Sequence, residues 1–182
     1  MDYDHVIYMR DEIATKLQSI QHVEGDESRR HFFRVSSIAN MEEVIQCLTD
    51  MEGYALIVED MLMGRFIDND SNNLLNNKSN VFMLVKQADL ADADSRATAI
   101  SDCEAECMKI FSKMFRDKII DYKPQQGVKT GLRNLDRNSI YYQTVGPLGD
   151  NFHGLMYTYN VMPPLADKVV YNEADWLPDV IS

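Results

Sequence analysis

The chain has 182 residues, 45% of them apolar and 26% charged, which is enough to bury a core within one ordinary domain. Its 29 acidic and 18 basic residues leave a formal net charge of −11. That balance excludes a nucleic-acid binder that uses its whole surface, and it disfavours anionic membranes.

Residues 4–20 carry Val6, Met9, Ile13, Leu17 and Ile20 at spacings of three and four, which predicts an amphipathic helix capped by Asp2 or Asp4. His31–Ser36 is aromatic and β-branched and predicts a strand. Asn40 with Glu43 three residues on suggests a capping box. Met41, Val44, Ile45, Leu48 and Met51 then form a helical stripe that Gly53 ends. Tyr54–Val58 reads as a buried strand. Asp68–Asn80 (DNDSNNLLNNKSN) predicts a long, mobile connection between strands around Met61–Ile67 and Val81–Lys86, because Asn, Asp and Ser side chains compete with backbone pairing. Asp92–Ile119 predicts the longest helix, with Ile100, Cys103, Cys107, Ile110, Phe111 and Met114 as its apolar stripe. Acids near its start and bases near its end suit the helix dipole. Residues 121–138 read as irregular. Ser139–Val145 and Phe152–Met162 predict a hairpin around Gly146–Asp150, and alternation in the second strand puts Leu155, Tyr157, Tyr159 and Val161 on one face. Pro163-Pro164 stops that strand. The expected architecture is α+β: a mostly antiparallel sheet with a long helix on one face, a C-terminal hairpin, and an arm over residues 163–182 beyond a single domain at 1–162.

The acidic start MDYDHVIYMRDE lacks the basic and apolar regions of a secretory signal, and no stretch approaches the roughly 18 apolar residues of a membrane span. Cys47, Cys103 and Cys107 are too few and too oddly numbered for a disulfide framework, so a cytoplasmic product is expected. Cys103 and Cys107 share a helix face and read as core packing rather than as metal ligands. Asp68, Asp70 and Asn72 have the spacing that opens a calcium loop. Asn73 stands where a glycine is needed, however, and Ser79 where a glutamate is needed. His5, His22, His31 and His153 lie in no metal or catalytic motif, and no nucleophile elbow or phosphate-binding glycine loop is present. No catalytic residue, cofactor or metal is assigned, and the chain is read as a non-enzyme.

Seven bases, Lys113, Arg116, Lys118, Lys123, Lys129, Arg133 and Arg137, fall in a window with three acids, leaving a local +4 on the acidic chain. Such a segment suits head-to-tail association between copies; the bland reading is dipole-complementing residues followed by a solvated loop. Trp176 and Leu177 give the arm apolar anchors that must be buried, either on the chain's own sheet or, with slight preference, on a neighbour.

The order of elements over residues 3–162, and the closing text SIYYQTVGPLGDNFHGLMYTYNVM at Ser139–Met162, resemble the tail-terminator and neck (tail-completion, head–tail joining) proteins of tailed bacteriophages. The resemblance implies a structural virion protein, a homo-oligomeric and hexameric ring that terminates the tail tube and joins tail to head. It would be assembled in the host cytoplasm and resident in the virion. Its implied partners are copies of itself and the tail-tube and connector proteins, with DNA only as passing cargo that an acidic wall lets slide. The basic segment with Trp176 and Leu177 then becomes an interface. The loop residues Asp68, Asp70, Asn72, Asn73, Asn76 and Asn77 become candidates for touching the tube or channel. Two other readings stay open on the residues alone: a small acidic adaptor or immunity-type binding protein, and an enzyme whose site forms only in three dimensions.

Overall fold

The structure, a computed structural model, describes residues 3–60, 63–68, 74–89, 91–123 and 130–165. Among these residues six strands form one sheet: β1 (Phe32–Val35), β2 (Tyr54–Glu59), β3 (Met63–Asp68), β4 (Leu74–Gln87), β5 (Leu135–Leu148) and β6 (Phe152–Val161). Helices α1 (His5–Tyr8), α2 (Met41–Leu48) and α3 (Ala93–Asp121) cover it. The strand order is β1-β2-β4-β6-β5, with β3 paired to β4 off that path. Only β1 and β2 run parallel, joined by the α2 crossover; every other pairing is antiparallel. The expected α+β class, with the long helix packed on a mostly antiparallel sheet, is what the chain forms.

β4 organises the molecule. Tyr54–Val58 of β2 pair with Phe82–Lys86, and on the same edge Met63–Asp68 of β3 pair with Leu74–Ser79. The β3–β4 hairpin therefore extends past the end of β2. Residues 74–80, expected as part of a mobile connection, are strand instead. Asparagine has low strand propensity, but a continuous ladder to β3 on one side and to β6 and Pro164 on the other pairs this backbone and outweighs it. Asn77 and Asn80 are buried in it. Asn80 donates to the Lys78 carbonyl at 3.1 Å.

Alternation along the strands builds two cores. Phe32, Leu56, Val58, Phe82, Leu84, Leu155, Tyr157 and Tyr159 face α3 and the N-terminal helical segment. Phe33, Val35, Ile57, Met83, Val85 and Phe152 face the other side, where α2 brings Val44 and Leu48. Cys103, Cys107, Ile110, Phe111 and Met114 form the inner stripe of α3. Asp92 caps that helix by accepting from the Asp94 amide at 2.9 Å.

Three local readings need correction. The N-terminal helix does not run to residue 20. After α1 it widens into a π-helical stretch, Met9–Ala14, with the Thr15 amide reaching the Arg10 carbonyl at 3.1 Å. The wider turn places Met9 and Ala14, five residues apart, both fully inside the core. Near α2 the capping-box acid serves another partner: Glu43 accepts from the Ser36 amide at 2.9 Å and its hydroxyl at 2.5 Å, and Asn40 makes no side-chain cap. Ser36 thereby holds the Glu43 carboxyl below its ordinary range. β5 also begins earlier than expected, at Leu135.

The N-terminus is fastened to the sheet by a buried polar chain. Tyr3 and Tyr159 hydroxyls meet at 2.5 Å, Tyr159 lies 2.9 Å from His5 Nδ1, and His5 Nε2 lies 2.9 Å from the Val81 carbonyl. Since a carbonyl only accepts, Nε2 carries a proton, and in the neutral ring Nδ1 accepts from Tyr159. Burial lowers the His5 pKa from 6.5 to about 4. The folded protein thus binds this proton more weakly than the unfolded chain. Stability is full above the unfolded value and is lost as pH falls from 6.5 through about 4. The loss from this group is expected to approach about 3 kcal/mol. Denaturant midpoints at pH 4, 5 and 7 should show it, and His5→Gln should flatten the profile; an unchanged slope in that variant would remove His5 as the cause.

Candidate functional site

Among the described residues no convergent set of reactive groups stands out, and the features suited to function are surfaces. Among the described residues no three His, Cys, Asp or Glu side chains gather as a metal site requires. Cys103 and Cys107 sit inside the α3 core. Burial pushes the Cys103 thiol up to about 12 and raises that of Cys107 further, so both are packing groups. A hollow of about 490 Å³ beside β1 is lined by charged groups, including Arg10, His22, Glu24 and Asp26. These are already spent on one another or on neighbours: Arg10 on Asp11 at 2.7 Å, Arg29 on Asp26 at 2.8 Å, His22 near Glu24 at 3.4 Å.

The basic segment divides in two. Lys113 turns inward, bound to Asp117 at 2.5 Å and Glu12 at 3.0 Å, and Lys118 donates to the Leu135 carbonyl. Arg116, Lys123, Arg133 and Arg137 are exposed where the end of α3 meets the start of β5. The Arg133 guanidinium lies 5.0 Å over the Tyr122 ring and that of Arg137 4.5 Å over Phe115. Two of the three acids in this window are withdrawn from the surface. Asp117 is buried and accepts from the Tyr8 hydroxyl at 2.8 Å. Asp121 is buried and accepts from the Thr130 amide at 2.9 Å, the Thr130 hydroxyl at 3.0 Å and the Arg133 amide at 3.3 Å. The outward face of this corner is therefore more positive than the count along the chain suggests. Lys129 lies outside the described residues, as do Trp176 and Leu177.

The hairpin residues also separate. Asp68 closes β3 opposite Leu74, and Asn76 and Asn77 stand in β4 opposite Phe66 and Arg65. Asp70, Asn72 and Asn73 fall outside the described residues. The hairpin carries exposed apolar groups that the Asn-rich text conceals: Met63 is 68% and Phe66 65% exposed.

At the opposite edge β5 pairs, among the described residues, only with β6, and Tyr141 and Tyr142 are 70% and 62% exposed. Consecutive strand residues point to opposite faces, so both sides of this edge present an aromatic ring. That pattern was visible in the text SIYYQTV. What the sequence could not show is that β5 is the edge strand of the described sheet.

A third surface lies on the side of the sheet opposite α3. α2 covers only part of it, leaving an apolar groove of about 630 Å³ over β4, β6 and β5. Its lining draws on residues far apart in sequence, from Ile38 to Thr158, so no local pattern announces it. Pro163–Leu165 run beside β4, with the Asn76 amide on the Pro163 carbonyl at 2.9 Å and the Leu165 amide on the Leu74 carbonyl at 2.8 Å. The first residues beyond β6 thus belong to the fold. Neither a family model, nor a curated protein, nor a solved structure matches this chain.

Proposed function

We propose that this chain is a structural subunit of a bacteriophage neck or tail-top assembly, a homo-oligomeric ring that ends the tail tube and joins tail to head. The observation that carries the reading is the placement of two unlike exposed apolar surfaces on opposite edges of one sheet: Met63 and Phe66 on the β3–β4 hairpin, Tyr141 and Tyr142 on β5. Two different patches on opposite edges suit head-to-tail association, which closes into rings when the rotation allows. The basic corner at Arg116, Arg133 and Arg137 on a chain of net −11 adds charge complementarity between copies. The work of such a subunit is done by interface geometry, with tail-tube and connector proteins as its neighbours and DNA passing along an acidic wall.

Light scattering with negative-stain imaging tests this directly. Closed rings are expected, and Tyr141→Glu with Phe66→Glu should reduce the mass to that of one chain while leaving the circular dichroism unchanged. Arg133→Glu with Arg137→Glu should weaken assembly most at low salt. A monomer that also fails to bind any tail-tube or connector component would sink the proposal.

A further inference from the structure

The groove opposite α3 is rich in methionine. Met41, Met63, Met83 and Met156 line it, with Ile38 and Leu148 at its side. Thioethers are polarisable and flexible, pack irregular shapes, and make favourable contacts with aromatic rings about 5 Å away. A surface of this kind suits an aromatic anchor, and its volume is within the range that holds inserted groups.

Seventeen residues follow Leu165, and they contain the chain's single tryptophan, Trp176, followed by Leu177, Val180 and Ile181. We infer that Trp176–Ile181 of one copy occupies the methionine groove of the adjacent copy, so that each subunit is fastened to the next by its own C-terminal segment. The inference rests on the self-assembly proposed above.

The direction in which the chain leaves the fold favours the neighbour. β6 runs antiparallel to β4, and beyond Val161, which faces Lys78, the chain passes Leu75 at Pro164 and Leu74 at Leu165. It is therefore travelling along the hairpin, away from the groove. The near end of the groove, Met63 opposite Ser79, lies five residues along β4 from Leu74, about 17 Å away, and Met83 nine residues, about 30 Å. The eleven residues from Leu165 to Trp176 span at most about 36 Å when fully extended. Returning to its own groove is within that reach but would require the chain to reverse its direction. A groove on the adjacent copy, lying ahead of the departing chain, needs no reversal.

Because Trp176 is the only tryptophan, its fluorescence reports its surroundings without interference. The test pairs two full-length variants. One keeps Trp176 but has a spoiled groove, Met63→Glu with Met156→Glu. The other keeps the groove but lacks the reporter, Trp176→Ala. The groove-spoiled protein alone should emit as a solvated indole. Mixing it with the Trp176→Ala protein should shift the emission to the blue, saturating at one acceptor per donor. Met63→Glu alone, at a highly exposed position, serves as a fold-safe donor should the double variant not fold. Wild-type emission that is blue-shifted but no shift on mixing would place the segment in its own groove and overturn the inference. Closed rings whose wild-type Trp176 emits as a solvated indole would overturn it too, while leaving the ring intact. A monomer with solvated emission would end both.

Discussion

Replacing Gly154 with alanine is expected to cost about 3 kcal/mol and to lower the melting temperature markedly. Gly154 stands in β6 opposite Val85 of β4, in the middle of the sheet. A Cβ built there would lie 2.1 Å from the Leu84 carbonyl oxygen and 2.8 Å from the Val85 Cα. Both are backbone atoms of a central strand, so no rotamer change relieves the clash; β4 and β6 must part. Gly53 supplies the contrast. Its φ is +78° and nothing lies within 4 Å of an added Cβ, so alanine there meets only the left-handed penalty of about 1–2 kcal/mol. Thermal melts of the two variants should differ clearly. If Gly154→Ala melts like Gly53→Ala, the close approach of the two central strands is wrong.

Phe82→Ala should be comparably damaging, at about 3–5 kcal/mol. Phe82 is wholly buried at the centre of an aromatic group. Its ring stacks on Tyr157 at 5.4 Å and lies 5.9 Å from Phe111 and 6.3 Å from Tyr159. Truncation removes the ring and leaves a void between β4 and α3 that rigid neighbours on three sides cannot close. Phe66→Ala, on the exposed face of the hairpin, should change stability by less than about 0.5 kcal/mol. Chemical denaturation of the pair reads the difference. Equal losses would mean that the hairpin is packed more deeply than its exposure implies.

Much of this fold could be read from period and punctuation. The stripe of α3 and the alternation in β6 repeat many times along the text, and each repetition reinforces the same face. The failures came where long-range partners decide. Asn76, Asn77 and Asn80 have loop-like side chains, yet residues supplied by β3 and β6 make their backbone a strand. Leu135–Asn138 looked irregular because three of its four side chains are polar, whereas β5 begins there by pairing with the end of β6. α1 keeps its helical face only by changing pitch at Met9, which composition does not encode. The surfaces were legible in part. The basic cluster was visible as a run of charge, but not that Lys113 and Lys118 would turn inward. The methionine groove was hidden altogether, since Met41, Met63, Met83 and Met156 meet only once the sheet and α2 are in place.

The strand order also bears on how the chain is made. β6 lies between β4 and β5, near the middle of the sheet, yet among the described strands it is the last to be synthesised. From Gln87 to Phe152 the ribosome adds 65 residues, a wait of several seconds at about 5–20 residues per second. Throughout that interval one edge of β4 is bare, and Phe82 and Leu84 lack Tyr157 and Leu155. The N-terminal tyrosine waits longer still, for Tyr159. The domain therefore closes late and as a whole, and its nascent form exposes the very strand that most needs a partner. A cell making many copies at once would need chaperone cover for that open edge.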